Sequence, residues 1–260
     1  MTENRHTLSR RAFGTLAGGA AVSLVVGTGC STRERQYAST AGRVTARPHA
    51  SQKSYISGRS ALGLDSARDA ILQTPKNQPN SDFPLLVFFH GAGQSADEMF
   101  DYLGTAPEEA GVAVLAPNSR GNTWDAIADG SFFGPDVKFL NRALELVFEM
   151  LAIDDRRIVI GGFSDGASYA ISLGLLNGDL FKGVMAFSPG IVIDGPWVGK
   201  PRFYISHGKH DPILPIEKCG RRIAADLNFR AYGVTLTEFD GGHEIPPAVL
   251  SEAFSWLGSL

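Results

Sequence analysis

A chain of 260 residues, 43% of them hydrophobic, is long enough for one well-buried domain with terminal material to spare. From Ser60 to the C-terminus it carries 15 basic against 25 acidic side chains, a balance that argues against nucleic acid and strongly polyanionic substrates. Residues 1–59 reverse the sign, with 9 basic and 2 acidic side chains.

In chain order, the first segment reads as an address rather than as fold. Ser9-Arg10-Arg11-Ala12-Phe13 sets twin arginines ahead of an uncharged stretch whose glycines keep its hydrophobicity modest. Residues 1–29 resemble a twin-arginine export signal more than a Sec signal or a membrane anchor, so the expected location is periplasmic or extracellular. Gly27-Thr28-Gly29-Cys30 resembles a lipoprotein processing site, with Gly27 where a large aliphatic residue is usual. It nominates Cys30 as a lipidated first residue and hence a membrane tether. Residues 30–59 then read as a flexible basic linker with Arg33, Arg35, Arg43, Arg47 and Lys53, suited to an anionic lipid surface. Cys219 is expected to be buried and inert rather than bridged to Cys30.

From residue 60 onward, strands and helices alternate. Ala67–Gln73 reads as an edge strand, and the unbroken apolar run Phe83–Phe89 as a central strand buried on both faces. A helix from Ala96 and a strand over Gly111–Pro117 follow. Asp136–Leu151 has helical spacing of Val137, Leu140, Leu144, Val147, Phe148 and Leu151. Then come a strand over Arg157–Ile160, a helix to about Leu176, and strands at Gly183–Phe187, Arg202–Ser206 and Val234–Phe239, with helices near 216–228 and 247–258. This alternation predicts an α/β architecture, a mostly parallel sheet with helices on both faces. No insertion between strands is long enough for a large cap domain.

The chemistry centres on Gly162-Phe163-Ser164-Asp165-Gly166. A strand, a Gly-x-Ser-x-Gly turn and a helix in succession form a nucleophile elbow, which lifts the Ser164 hydroxyl above the sheet edge. The helix N-terminus favours negative charge there. A serine hydroxyl needs a base, and His243 follows the last strand in Asp240-Gly241-Gly242-His243. His207 and His210 come too early in chain order, and read as a loop-ordering residue and a solvent-facing neighbour. The base needs an orienting acid, for which Asp211, at a strand end between Ser164 and His243, ranks above Asp194, Asp226, Glu238 and Asp240. The expected oxyanion donors are the amides of Asp165 and of Ala92, with Gly93 as the alternative, in the loop His90-Gly91-Ala92-Gly93-Gln94. His90 is expected to brace that loop. The stretch Asn118–Asp125 is placed at a pocket wall. Trp124, Phe132 and Phe133 are candidates for holding an acyl or aromatic group, with ordinary packing as an equal alternative. Histidine spacing implies no metal, and no cofactor is expected.

His90-Gly91-Ala92-Gly93, the Ser164 pentapeptide, His207-Gly208 with Asp211 and Pro215, and Gly242-His243 together resemble the phospholipase/carboxylesterase group of α/β-hydrolases. That group includes acyl-protein thioesterase-like enzymes and stands close to feruloyl-esterase and polyhydroxyalkanoate-depolymerase-like proteins. The resemblance covers about residues 60–260. It implies a capless serine esterase acting on small-molecule acyl esters or thioesters, and it supports the triad and the Ala92/Asp165 pair. Two positions depart from the thioesterase pattern: Asp165 stands where Gln is common, and Gln94 where Asp is common. A serine peptidase and a non-catalytic binding module on the same fold are the rival readings.

Overall fold

The computed structural model describes residues 42–49, 57–77, 81–130 and 133–260. The export segment, Cys30 and Phe132 therefore lie outside the described residues.

The molecule is built on an eight-stranded sheet of β1 (Gly58–Ala61), β2 (Ala70–Thr74), β3 (Phe83–Phe89), β4 (Ala113–Pro117), β5 (Ile153–Phe163), β6 (Gly183–Phe187), β7 (Arg202–Gly208) and β8 (Val234–Phe239). Their spatial order is β1-β2-β4-β3-β5-β6-β7-β8. The pairs β1–β2 and β2–β4 are antiparallel and every other pair is parallel. β3 is buried at all seven positions, as its unbroken apolar run requires at the sheet centre. Pro84 is tolerated there because the β3–β5 register shifts between Phe83 and Leu85.

Seven helices complete the described residues: α1 (Ala96–Leu103), α2 (Ala106–Ala110), α3 (Asp125–Asp129), α4 (Pro135–Met150), α5 (Asp165–Leu176), α6 (Gly220–Phe229) and α7 (Pro247–Gly258). Two apolar cores show that they cover both faces. One joins the sheet to α4, α5 and α6 through Val137, Leu140, Ile171 and Ile223. The other joins it to α1 and α7 through Met99, Phe100, Val249 and Phe254. Side-chain burial on this scale, not helix propensity, holds short elements such as α2 and α3 in place.

Two expectations are corrected. Ala67–Gln73 is not the edge strand: β2 begins at Ala70, and β1 pairs outside it. β1 reads Gly-Arg-Ser-Ala and alternates between half-buried and exposed positions, so it carries no apolar run to announce it. The basic linker is also not free along its whole length. Over residues 42–49 the chain lies against the domain as a strap, with Val44 and Ala46 buried. Asn177 Oδ1 accepts the Val44 amide at 2.8 Å, and Asn141 Oδ1 accepts the amides of Thr45 and Ala46 at 2.7 and 2.8 Å. Arg43 and Arg47 both pair with Asp179. Two buried apolar positions among polar and basic ones are too few for periodicity to reveal.

Candidate active site

The elbow forms where β5 runs into α5. Ser164 has φ 57° and ψ −118°, a backbone state that non-glycine residues rarely adopt and that costs on the order of 1–3 kcal/mol. Its amide is held by Phe187 O at 2.9 Å. The flanking glycines are needed for approach: a Cβ on Gly166 would lie 2.6 Å from His90 O and overlap Phe89 O. The turn thus seats Ser164 on the C-terminal ends of β3, β5 and β6, at the N-terminus of α5.

Two loops converge on it. The first leaves β7 and carries Asp211, whose carboxylate is fully buried; the second leaves β8 and carries His243. They are tied together by Lys209 N–H to Phe239 O and His210 N–H to Gly241 O, at 2.9 and 3.0 Å. His243 Nε2 lies 2.9 Å from Ser164 Oγ, and its Nδ1 lies 2.6 Å from Asp211 Oδ2. The carboxylate only accepts, so Nδ1 carries the proton and Nε2 is open to the serine hydroxyl. Asp211 Oδ1 accepts the amides of Ile213 and Leu214 at 2.9 and 2.8 Å, which orients the carboxylate. The Phe163 ring lies 4.7 Å from the His243 ring and backs it. Phe163, the second residue of the pentapeptide, went unassigned in the sequence; its place inside that motif was the available signal.

The loop after β3 faces the same spot. His90 is buried and braces it: Nδ1–H donates to Gly91 O at 2.7 Å and Nε2 accepts Ser119 N–H at 3.0 Å. Burial holds His90 below the usual imidazole range, so it is a neutral strut. Gly93 N–H is spent on Asn122 O at 2.8 Å, which leaves it poorly placed as an oxyanion donor. The amide of Ala92 has no partner among the described residues, and the Asp165 amide opens α5.

Residues 138–259 match the phospholipase/carboxylesterase family. Feruloyl esterase C of Emericella nidulans is 22% identical over 216 residues, covering 70% of this chain and 78% of that protein. Acyl-protein thioesterase 1 of Gibberella zeae is 30% identical over 111 residues, covering 39% of this chain and 47% of that protein. The Bacillus cereus carboxylesterase superposes with a TM-score of 0.58 at 20% identity, over 75% of this chain and 95% of its own. The sheet and its helices form an α/β-hydrolase fold, and the C-terminal part of the chain is similar to the phospholipase/carboxylesterase family. Like its relatives, this chain is an ester-hydrolysing enzyme.

In this hydrolase the two departures from the thioesterase pattern have work to do. Asp165 Oδ2 accepts the Thr123 hydroxyl at 2.7 Å, tying the loop after β4 to the elbow. Gln94 Oε1 accepts the Gly91 amide at 3.0 Å while its Nε2 donates to Tyr102 OH at 3.1 Å. Of the two readings of the aromatic residues, ordinary packing holds for Trp124 and Phe133. Trp124 is buried, stacks on Tyr169 at 5.0 Å and donates Nε1–H to His90 O at 2.8 Å. Phe133 is buried too, with its ring 5.6 Å from Tyr169. Both are core residues beneath the loop after β3, because an indole with its N–H satisfied gains more from burial than from exposure. Farther along α5, Ser168 Oγ accepts the Ile191 amide at 3.3 Å, and Ile191 itself is partly exposed. Ser168 also donates to Ser164 O at 3.2 Å and accepts Gly190 N–H at 2.9 Å. His210 is exposed and pairs with Asp240 at 2.8 Å, away from the triad, and Cys219 is buried.

Proposed function

We propose that this hydrolase is a serine carboxylesterase that cleaves small acyl esters or thioesters through Ser164, His243 and Asp211. The observation that supports it most is the unbroken relay of contacts from Ser164 Oγ through His243 to Asp211, at 2.9 and 2.6 Å. Ser164 Oγ attacks the acyl carbonyl while His243 Nε2 takes its proton. Asp211, held by its loop amides, keeps the imidazole in the correct tautomer and stabilises the imidazolium. The negative oxygen of the tetrahedral intermediate is received by the amides of Ala92 and Asp165, helped by the α5 dipole. Collapse expels the alcohol or thiol, which takes the proton from His243. Water then attacks the acyl-enzyme by the same route in reverse.

The relatives' names support an ester or thioester substrate, one naming a feruloyl ester and the other an acyl-protein thioester. The leader adds a second part to the reading: export by the twin-arginine route and, through Cys30, attachment to a membrane. Hydrolysis of short acyl p-nitrophenyl esters by wild type and Ser164→Ala tests the first part; undiminished hydrolysis by the variant contradicts it. Cell fractionation of wild type and an Arg10→Lys/Arg11→Lys double variant tests the second. Retention of only the variant in the cytoplasm supports it, and identical distributions oppose it.

A further inference from the structure

A second histidine reaches the carboxylate that orients His243. His207 lies near the end of β7, four residues before Asp211, and its side chain is fully buried. Its Nε2 is 2.6 Å from Leu214 O. A carbonyl oxygen only accepts, so Nε2 carries the proton and Nδ1 is bare. The same Nε2–H lies 3.3 Å from Asp211 Oδ2, the oxygen that receives His243 Nδ1. The contacts close a ring. The imidazole holds Leu214 by its carbonyl, Leu214 holds Asp211 Oδ1 by its amide at 2.8 Å, and Asp211 Oδ2 returns to the imidazole.

The far side of the ring determines its charge. Nδ1 is buried with no hydrogen-bond partner among the described residues. It faces the start of α6, where a Cβ on Gly220 would come within 2.7 Å of it. Adding a proton there would bury an N–H with nothing to receive it. Burial accordingly holds His207 below the ordinary imidazole range, with the Asp211 carboxylate pulling less strongly the other way and His243 adding to the depression. An apolar ring of similar size would fill this space without leaving a bare acceptor, so packing alone does not account for an imidazole here.

We propose that His207 is a positioning residue for ester hydrolysis, a neutral donor that locks the Asp211 turn so that the carboxylate meets His243 in one orientation. The inference rests on the triad reading above and extends it to a fourth side chain. Its neutrality matters: a cation at this place would compete with the imidazolium of His243 for the same carboxylate oxygen. The effect falls on the step in which His243 becomes charged, and so on kcat rather than on substrate binding.

His207→Gln and His207→Asn separate this role from simple packing. The longer amide carries an N–H close to the position of Nε2, whereas the shorter one ends near Nδ1 and falls short of Leu214 O. With a p-nitrophenyl ester, His207→Asn is expected to lower kcat by about 10–100-fold with KM within about 2-fold, and His207→Gln to recover most of the loss. Wild-type kcat in His207→Asn would overturn the proposal, as would equal losses in both variants that follow their melting temperatures. If His207→Asn does not fold, Gly220→Ala presses on the imidazole from α6; a lower kcat at unchanged KM supports the proposal and full kcat overturns it. Ser164→Ala distinguishes the two levels. An active Ser164→Ala removes the triad and this inference together, whereas an inactive one beside a full-rate His207→Asn removes the inference alone.

Discussion

A Cβ placed on Gly162 would sit 2.5 Å from the carbonyl carbon of Gly166, across the elbow. The obstacles there are backbone atoms, and Gly166 in turn faces the carbonyls of Phe89 and His90 at the end of the central strand. Gly166→Ala is therefore expected to cost about 1–3 kcal/mol or more, because neither strand nor helix can withdraw. It should also abolish most hydrolysis, since relief of the clash moves Ser164. Thermal unfolding together with kcat/KM checks this; an alanine variant with wild-type values of both would mean that the elbow is looser than described.

The Thr123 hydroxyl ties the loop after β4 to Asp165, the residue whose amide is assigned to the oxyanion. Removing the carboxylate leaves that amide in place. Asp165→Ala should thus lower kcat by less than about 10-fold, well short of the 100-fold or more expected on loss of an oxyanion donor. Thr123→Val and Asp165→Ala are expected to be coupled by about 0.5–3 kcal/mol in a double-mutant cycle on stability. Additive effects would show that the contact does not hold the loop.

The strap over residues 42–49 makes a prediction about stability without activity. Val44 is buried and its amide is held by Asn177. Val44→Asp should destabilise the fold by about 2–4 kcal/mol, as a charge placed in an apolar site without a partner does. At temperatures where the variant remains folded, kcat/KM should match wild type. A fall in kcat/KM with no fall in melting temperature would connect the strap to the site instead.

Much of this architecture was legible in the sequence because its central strands are buried on both faces. β3 and β6 fall at the bounds that their apolar runs give, and β8, a partly buried edge strand, falls at the bounds of its β-branched run. The convergence of Ser164, Asp211 and His243 was foreshadowed for a different reason: an elbow limits where along the chain its partners can occur. What escaped was held by contacts rather than by pattern. β1 is an edge strand with no apolar run, the strap rests on two apolar side chains and a set of amide acceptors, and α3 has five residues. Trp124 and Phe133 look like pocket residues in a loop sequence; their burial beside Tyr169 depends on how that loop folds under the turn after β3.

The first turn of α4, which holds that loop, carries a pH-sensitive group. The Asp136 carboxylate accepts the Asp125 amide at 2.7 Å and the Arg120 amide at 2.5 Å, yet burial pushes it up to about 6 from 3.8. A carboxyl raised by folding contributes stability below its unfolded value and loses it as pH rises through the folded one. Wild type should therefore lose on the order of 3 kcal/mol from this group between pH 4 and 7. Asp136→Asn cannot show that slope, although it gives up a backbone hydrogen bond at every pH. The stability gap between wild type and Asp136→Asn should narrow as pH rises; parallel curves in chemical denaturation would contradict the assignment.

Nucleophilic attack by Ser164 is tested most directly by where a serine-reactive probe attaches. Wild-type protein treated with a fluorophosphonate, digested and analysed by mass spectrometry should carry one adduct, on the peptide containing Ser164. His243→Ala and Asp211→Ala should label far more slowly, and Ser164→Ala should not label. Absence of an adduct from folded, ester-hydrolysing wild type, or an adduct on another residue that persists in Ser164→Ala, would contradict it.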